Sequence, residues 1–155
     1  MTIVIQRILL PADFSSHSAS ATKYACELAT KFEAELHLLH VLEMHPVTTP
    51  DFGMGLDLPR YVEESKSKAE KALDDLLDPN WSNDRQMRKA IVEGSPVKEI
   101  VRYARTQNVD LIVISTHGRT GLAHILMGSV AENIVRTAPC PVLTVRPEGH
   151  QFAMP

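Results

Sequence analysis

The run Leu111–Ile114 constrains this chain more than any other stretch. It is unbroken, apolar and rich in β-branched residues, as a strand is when a sheet buries it on both faces. It gives way to Ser115–Thr116–His117–Gly118 and, after nine further residues, to Gly128–Ser129, where a helical pattern begins. Glycine at both places lets backbone N–H groups approach a ligand without a Cβ in the way. Ser129 is a good N-cap residue, so the first turn behind it would offer free N–H donors and the positive end of a helix dipole. Strand, glycine-bearing loop and helix start together make a phosphate cradle.

The rest of the chain repeats this alternation. Strands are predicted over Ile3–Leu10, Glu35–Leu42, Met87–Val92 and Pro141–Val145, the third polar enough for a sheet edge. Helical spacing covers His17–Phe32, with Ala21, Ala25, Leu28, Ala29 and Phe32 on the apolar side, and Tyr61–Leu77. Pro96 opens a further helix with Val97, Ile100, Val101 and Ala104 inward, and Ser129 to Thr137 forms the last. Pro79–Asp84 reads as a turn. Met44–Leu58 carries Pro46, Pro50, Gly53 and Gly55 without any period, so it is predicted to be a long loop of the kind that forms lids. Strands alternating with helices predict an α/β fold: one five-stranded parallel sheet with helices on both faces.

Composition removes several classes of function. At 155 residues the chain is one domain, predicted to span 1–147 with a tail at 148–155. A net charge of -3 speaks against a nucleic-acid binder, which needs a basic face. No stretch reaches the length of a membrane span, and Gln6 and Arg7 interrupt the only apolar run at the start, so neither a span nor a signal peptide is expected. Cys26 and Cys140 form no CxxC pair or disulfide framework and are predicted to be buried free thiols in a cytoplasmic protein.

Catalytic signatures are missing as well. No glycine is followed by lysine, so the P-loop is absent, and with it the lysine on which ordinary NTPases depend. No G-x-S-x-G supplies a nucleophile for His117, and the seven histidines lack metal-ligand spacing. His117 is read as a residue that fixes the loop or contacts a phosphate. Arg119 offers a guanidinium to phosphate or is a solvated surface charge. Asp13, after the first strand, can accept from a ribose hydroxyl or an adenine amine, or can serve as a turn carboxylate.

This stretch resembles the universal stress protein family, together with P-A-D-F at Pro11–Phe14, L-L-H-V at Leu38–Val41 and C-P-V-L-T-V at Cys140–Val145. The resemblance covers roughly residues 5 to 147. The family's nucleotide-binding branch carries G-x2-G-x9-G-[S/T]; its second glycine falls on Gly118, its third on Gly128 and its hydroxyl on Ser129. Its first glycine falls on Ser115, a departure that either crowds a ligand or offers it a hydroxyl. The resemblance implies a Rossmann-like sheet of order 3-2-1-4-5, with Asp13 and Ser115–Gly118 flanking one crevice where the strand order reverses. It implies adenine- and ribose-side roles for Pro11, Ala12, Asp13 and Val41, and phosphate-side roles for Gly118, Arg119, Gly128, Ser129 and Val130. The expected ligand is ATP, AMP or another adenine nucleotide, with Mg or Mn held mainly by its phosphates. Two other functions remain open: a nucleotide-free interaction module and a slow ATP hydrolase, the activity being at most weak. An unknown protein partner is expected. The final strand, Pro141–Arg146, is an apolar edge that invites pairing with its own copy, and the resemblance points to the same homodimer.

Overall fold

The computed structural model describes residues 2–43, 58–117 and 127–148. Five parallel strands form one sheet: β1 (Arg7–Pro11), β2 (Glu35–Leu42), β3 (Met87–Glu93), β4 (Leu111–Ser115) and β5 (Val142–Val145). Their order is β3-β2-β1-β4-β5, so the sequence-predicted reversal lies between β1 and β4. β3 is an edge strand, as its polarity predicted, and β5 is the other edge.

Helices cover both faces. On one side α1 (Ala19–Phe32) and α2 (Leu58–Asp75) enclose Ile8, Leu10, Leu36, Leu38 and Val113 with Ala25 and Leu73. On the other, α4 (Pro96–Thr106) and α5 (Ser129–Thr137) enclose Leu9, Leu39 and Ile112 with Ile100, Ala104 and Ile134. Strand alternation accounts for the division: Ile8 and Leu10 point to one face and Leu9 to the other. A four-residue helix α3 (Pro79–Ser82) takes the place of the predicted turn, capped by the Asp78 carboxylate, which accepts from the Asn80 N–H at 2.8 Å.

Element limits moved where tertiary partners were missing or extra. The first strand begins at Arg7, not Ile3, because its neighbours start only at Glu35 and Leu111. Ile3 and Val4 are exposed, and the Gln6 and Arg7 N–H groups donate instead to the Asp110 carboxylate at 2.8 and 2.9 Å. A single 3-10 turn, Ser16–Ser18, precedes α1, and Phe32, expected in the core, is 42% exposed. The second helix begins at Leu58, three residues earlier than its apolar period indicated. The remainder of the predicted Met44–Leu58 lid lies outside the described residues, as do Gly118 and Arg119.

Both cysteines are free thiols but only half-buried, which corrects the expectation of full burial. Partial burial still pushes the Cys26 thiol up to about 11 and raises that of Cys140. No helix among the described residues is long and apolar enough to cross a membrane.

Candidate functional site

β1 pairs with β2 along its whole length, from Arg7↔Glu35 to Pro11↔Leu39, and β4 pairs with β5 out to Ser115↔Val145. Between β1 and β4 the ladder holds only Ile8↔Leu111 and Leu9↔Ile112. The two central strands therefore part over their carboxyl-terminal halves, and a cleft of about 450 Å³ opens between them. That volume is in the range of small-molecule sites, and its position is the one at which open α/β sheets hold ligands.

Pro11, Ala12, Asp13, Val41, Ser115, His117, Gly128, Ser129 and Val130 all line this cleft. They come from four separate stretches of chain, brought together by the parting of the strands. Of the sequence-predicted site residues, only Gly118 and Arg119 lie outside the described residues.

At one end is the start of α5. Gly128, with φ -66° and ψ 152°, is its cap residue, and the Glu132 N–H donates to the Gly128 carbonyl at 3.0 Å. Ser129 is thus the first helical residue and not the cap expected from sequence. The extended conformation of Gly128 and that first helical bond move the boundary by one position. The N–H groups of Ser129, Val130 and Ala131 precede the first bond and have no acceptor within the helix. Gly128 itself brings no side chain to cap them. The first turn of α5, at the positive end of a helix dipole, thus lines the cleft and suits an anionic group.

At the other end the turn after β1 is unusual. The Asp13 carboxylate accepts from the Ser15 N–H at 2.9 Å and the Ser15 hydroxyl at 2.7 Å, the turn role weighed for it from sequence. Phe14 then adopts a left-handed backbone, φ 61°, which a bulky residue rarely tolerates. Its ring lies 4.5 Å from that of His40, tilted by 32°. His40 is buried, and its Nδ1–H donates to the Ala12 carbonyl at 2.7 Å. A carbonyl can only accept, so Nδ1 carries the proton. β2 thereby holds the Pro11–Phe14 turn in place through a side chain. Sequence reasoning took His40 only as part of the L-L-H-V strand motif and gave it no site role, because nothing local shows that its ring meets the Ala12 carbonyl.

Ser115 is half-buried beside the cleft. Its hydroxyl donates to the His17 carbonyl at 2.9 Å and accepts from the His117 N–H at 3.4 Å. This hydroxyl thus ties the end of β4 to the 3-10 turn ahead of α1. His117 is buried, with Nδ1 3.0 Å from the Thr116 hydroxyl and its ring 6.4 Å from that of His17. Among the described residues no group of three or more histidine, cysteine or carboxylate side chains is arranged to hold a metal.

The comparisons with known proteins agree with this architecture. A model of the universal stress protein family matches residues 5–146. A universal stress protein of Methanocaldococcus jannaschii is 35% identical over 142 residues, covering 91% of this chain and 82% of its own. Among solved structures, universal stress protein UspA from Lactobacillus plantarum gives a TM-score of 0.80 at 24% identity, covering 94% of this chain and 100% of its own. A universal stress protein in complex with cAMP gives 0.59 at 23% identity, covering 92% and 98%.

Proposed function

We propose that this chain, which belongs to the universal stress protein family, binds ATP or a related adenine nucleotide in the cleft between β1 and β4, as a regulatory ligand and not as a substrate for rapid turnover. One observation carries the reading: a single cleft is lined by Ser129, Val130 and Ala131, whose N–H groups have no acceptor within their helix, and by Ala12, Val41 and Asp13. The first suits phosphate, the second an apolar base and its ribose. That a solved structure of the same fold is a complex with cAMP supports an adenine nucleotide as the class of ligand. Gly118 and Arg119 are assigned to the phosphates by their motif positions.

A divalent ion, if present, would ride on the phosphates, since the described protein groups supply no ready-made metal site. The missing P-loop lysine argues against efficient hydrolysis. Free thiols suit a cytoplasmic protein. Self-pairing through β5 would complete a homodimer, with protein partners acting on the assembled surface.

Freshly purified protein, denatured and analysed by mass spectrometry, should release an adenine nucleotide, and calorimetry should show ATP or AMP bound in preference to GTP. Absence of nucleotide together with no heat on titration would leave the second reading, a nucleotide-free interaction module. The observation that favours this rival is Ser115, which lines the cleft at a position where the motif has glycine.

A further inference from the structure

A second concavity, about 820 Å³, lies between α1 and α2 and is independent of the nucleotide reading. Its apolar surface is furnished by Phe14, Cys26, Leu76, Leu77 and Trp81. Cys26, Leu76 and Trp81 are only half-buried, so the groove leaves apolar area open to water. The charges at its margin are Lys23, Glu27, Asp75 and Asp78.

The described chain ends at this margin. Three residues after β5, Glu148 forms an ion pair with Lys23 of α1 at 2.7 Å. Cys26 lies three residues beyond Lys23, about 5 Å along the helix axis. Seven residues, 149–155, remain outside the described part, and extended they reach about 23 Å. They read Gly-His-Gln-Phe-Ala-Met-Pro: apolar side chains at Phe152 and Met154, spaced two apart, a histidine, and no acidic side chain. A segment of this composition suits an apolar groove whose margin carries three carboxylates and one lysine.

We propose that the α1–α2 groove is the docking site of the chain's own residues 149–155, with Phe152 and Met154 seated against Trp81 and Leu76 and with Glu148–Lys23 as the hinge point. The ion pair is exposed and contributes little by itself. Burial of the two apolar side chains supplies the binding, and the short tether makes it intramolecular. Ser18 lines both this groove and the nucleotide cleft, so the docked segment would share a wall with the site.

Trp81 is the sole tryptophan, which gives the groove a native reporter. Acrylamide quenching of its fluorescence should be weak in the full chain. It should rise in a chain ending at Glu148 and in Phe152→Ser/Met154→Ser, with far-ultraviolet circular dichroism unchanged. A synthetic peptide of residues 149–155 added to the shortened chain should restore the shielding. Hydrogen exchange across 72–82 should follow the same pattern. Equal quenching and equal exchange in the full and shortened chains would overturn the proposal. So would shielding in the shortened chain that grows with protein concentration, which would assign the groove to a second copy. None of these measurements involves nucleotide, so their outcome is separate from that of the cleft.

Discussion

The Gly128 N–H donates to the Thr116 carbonyl at 2.6 Å. That bond sets the first turn of α5 beside the end of β4, and it is why the helix start faces the cleft between β1 and β4. The donors proposed for phosphate therefore depend on backbone position more than on any side chain.

Gly128→Val tests this. The conformation of Gly128, φ -66° and ψ 152°, is open to any residue, so the variant should fold. A branched side chain at this position in the cleft lining should weaken ATP binding at least about tenfold, ~1.4 kcal/mol. Calorimetry measures the loss and circular dichroism the fold; undiminished affinity in a folded variant would remove the phosphate assignment.

A second prediction concerns the β5 edge. Ile112 and Thr116 donate from β4 to the Pro141 and Val145 carbonyls at 3.0 and 2.9 Å, so alternate residues Leu143 and Val145 direct their backbone groups inward. The Thr144 N–H therefore points away from the sheet. Sedimentation of the wild type should give a dimer at micromolar concentration, and Thr144→Pro, tolerated at an edge, should shift it to monomer. A monomeric wild type at high concentration would defeat the self-pairing.

Glu35 links acid stability to the opposite end of the sheet. His37, whose Nε2 lies 3.0 Å from the carboxylate, is the main cause holding its carboxyl below the usual 4.5; partial burial opposes it, while the charges of Arg88 and Arg7 add to it. With the folded value below the unfolded one, the unfolded chain takes up the proton first as pH falls. The stabilisation is therefore present above about 4.5 and is lost as pH drops through the folded value. Glu35→Gln should lower Tm at pH 7 and flatten the fall of Tm below pH 4.5. An unchanged acid limb in differential scanning calorimetry would show that the His37 contact carries no linkage.

Leu9 has no exposed surface and stands on the central strand among Leu39, Ile112 and Ile134. Leu9→Ala should cost about 2–5 kcal/mol, read from the urea midpoint at constant slope. A loss well under 1 kcal/mol would mean that the α4–α5 layer collapses into the space.

The sequence by itself determined the α/β class, the strand count, the polar edge strand β3 and the stretches that meet in the cleft. Local chemistry is sufficient for these: doubly buried strands must be apolar throughout, helices must keep one apolar side, and breaks need glycine or proline. The departures arose where another part of the chain decided the outcome. Ile3 and Val4 are strand-prone yet unpaired, because β2 and β4 begin too late to meet them. His40 joined the cleft only because the Ala12 carbonyl lies within hydrogen-bond reach of its ring. Ser115 was ambiguous as a residue type; its direction was set by the His17 carbonyl, ninety-eight positions away in sequence. The helix cap is Gly128 and not Ser129, with Thr116 holding the Gly128 N–H. Periodicity records which side of an element is buried, whereas the direction of a hydrogen bond depends on a partner that only the folded chain brings near.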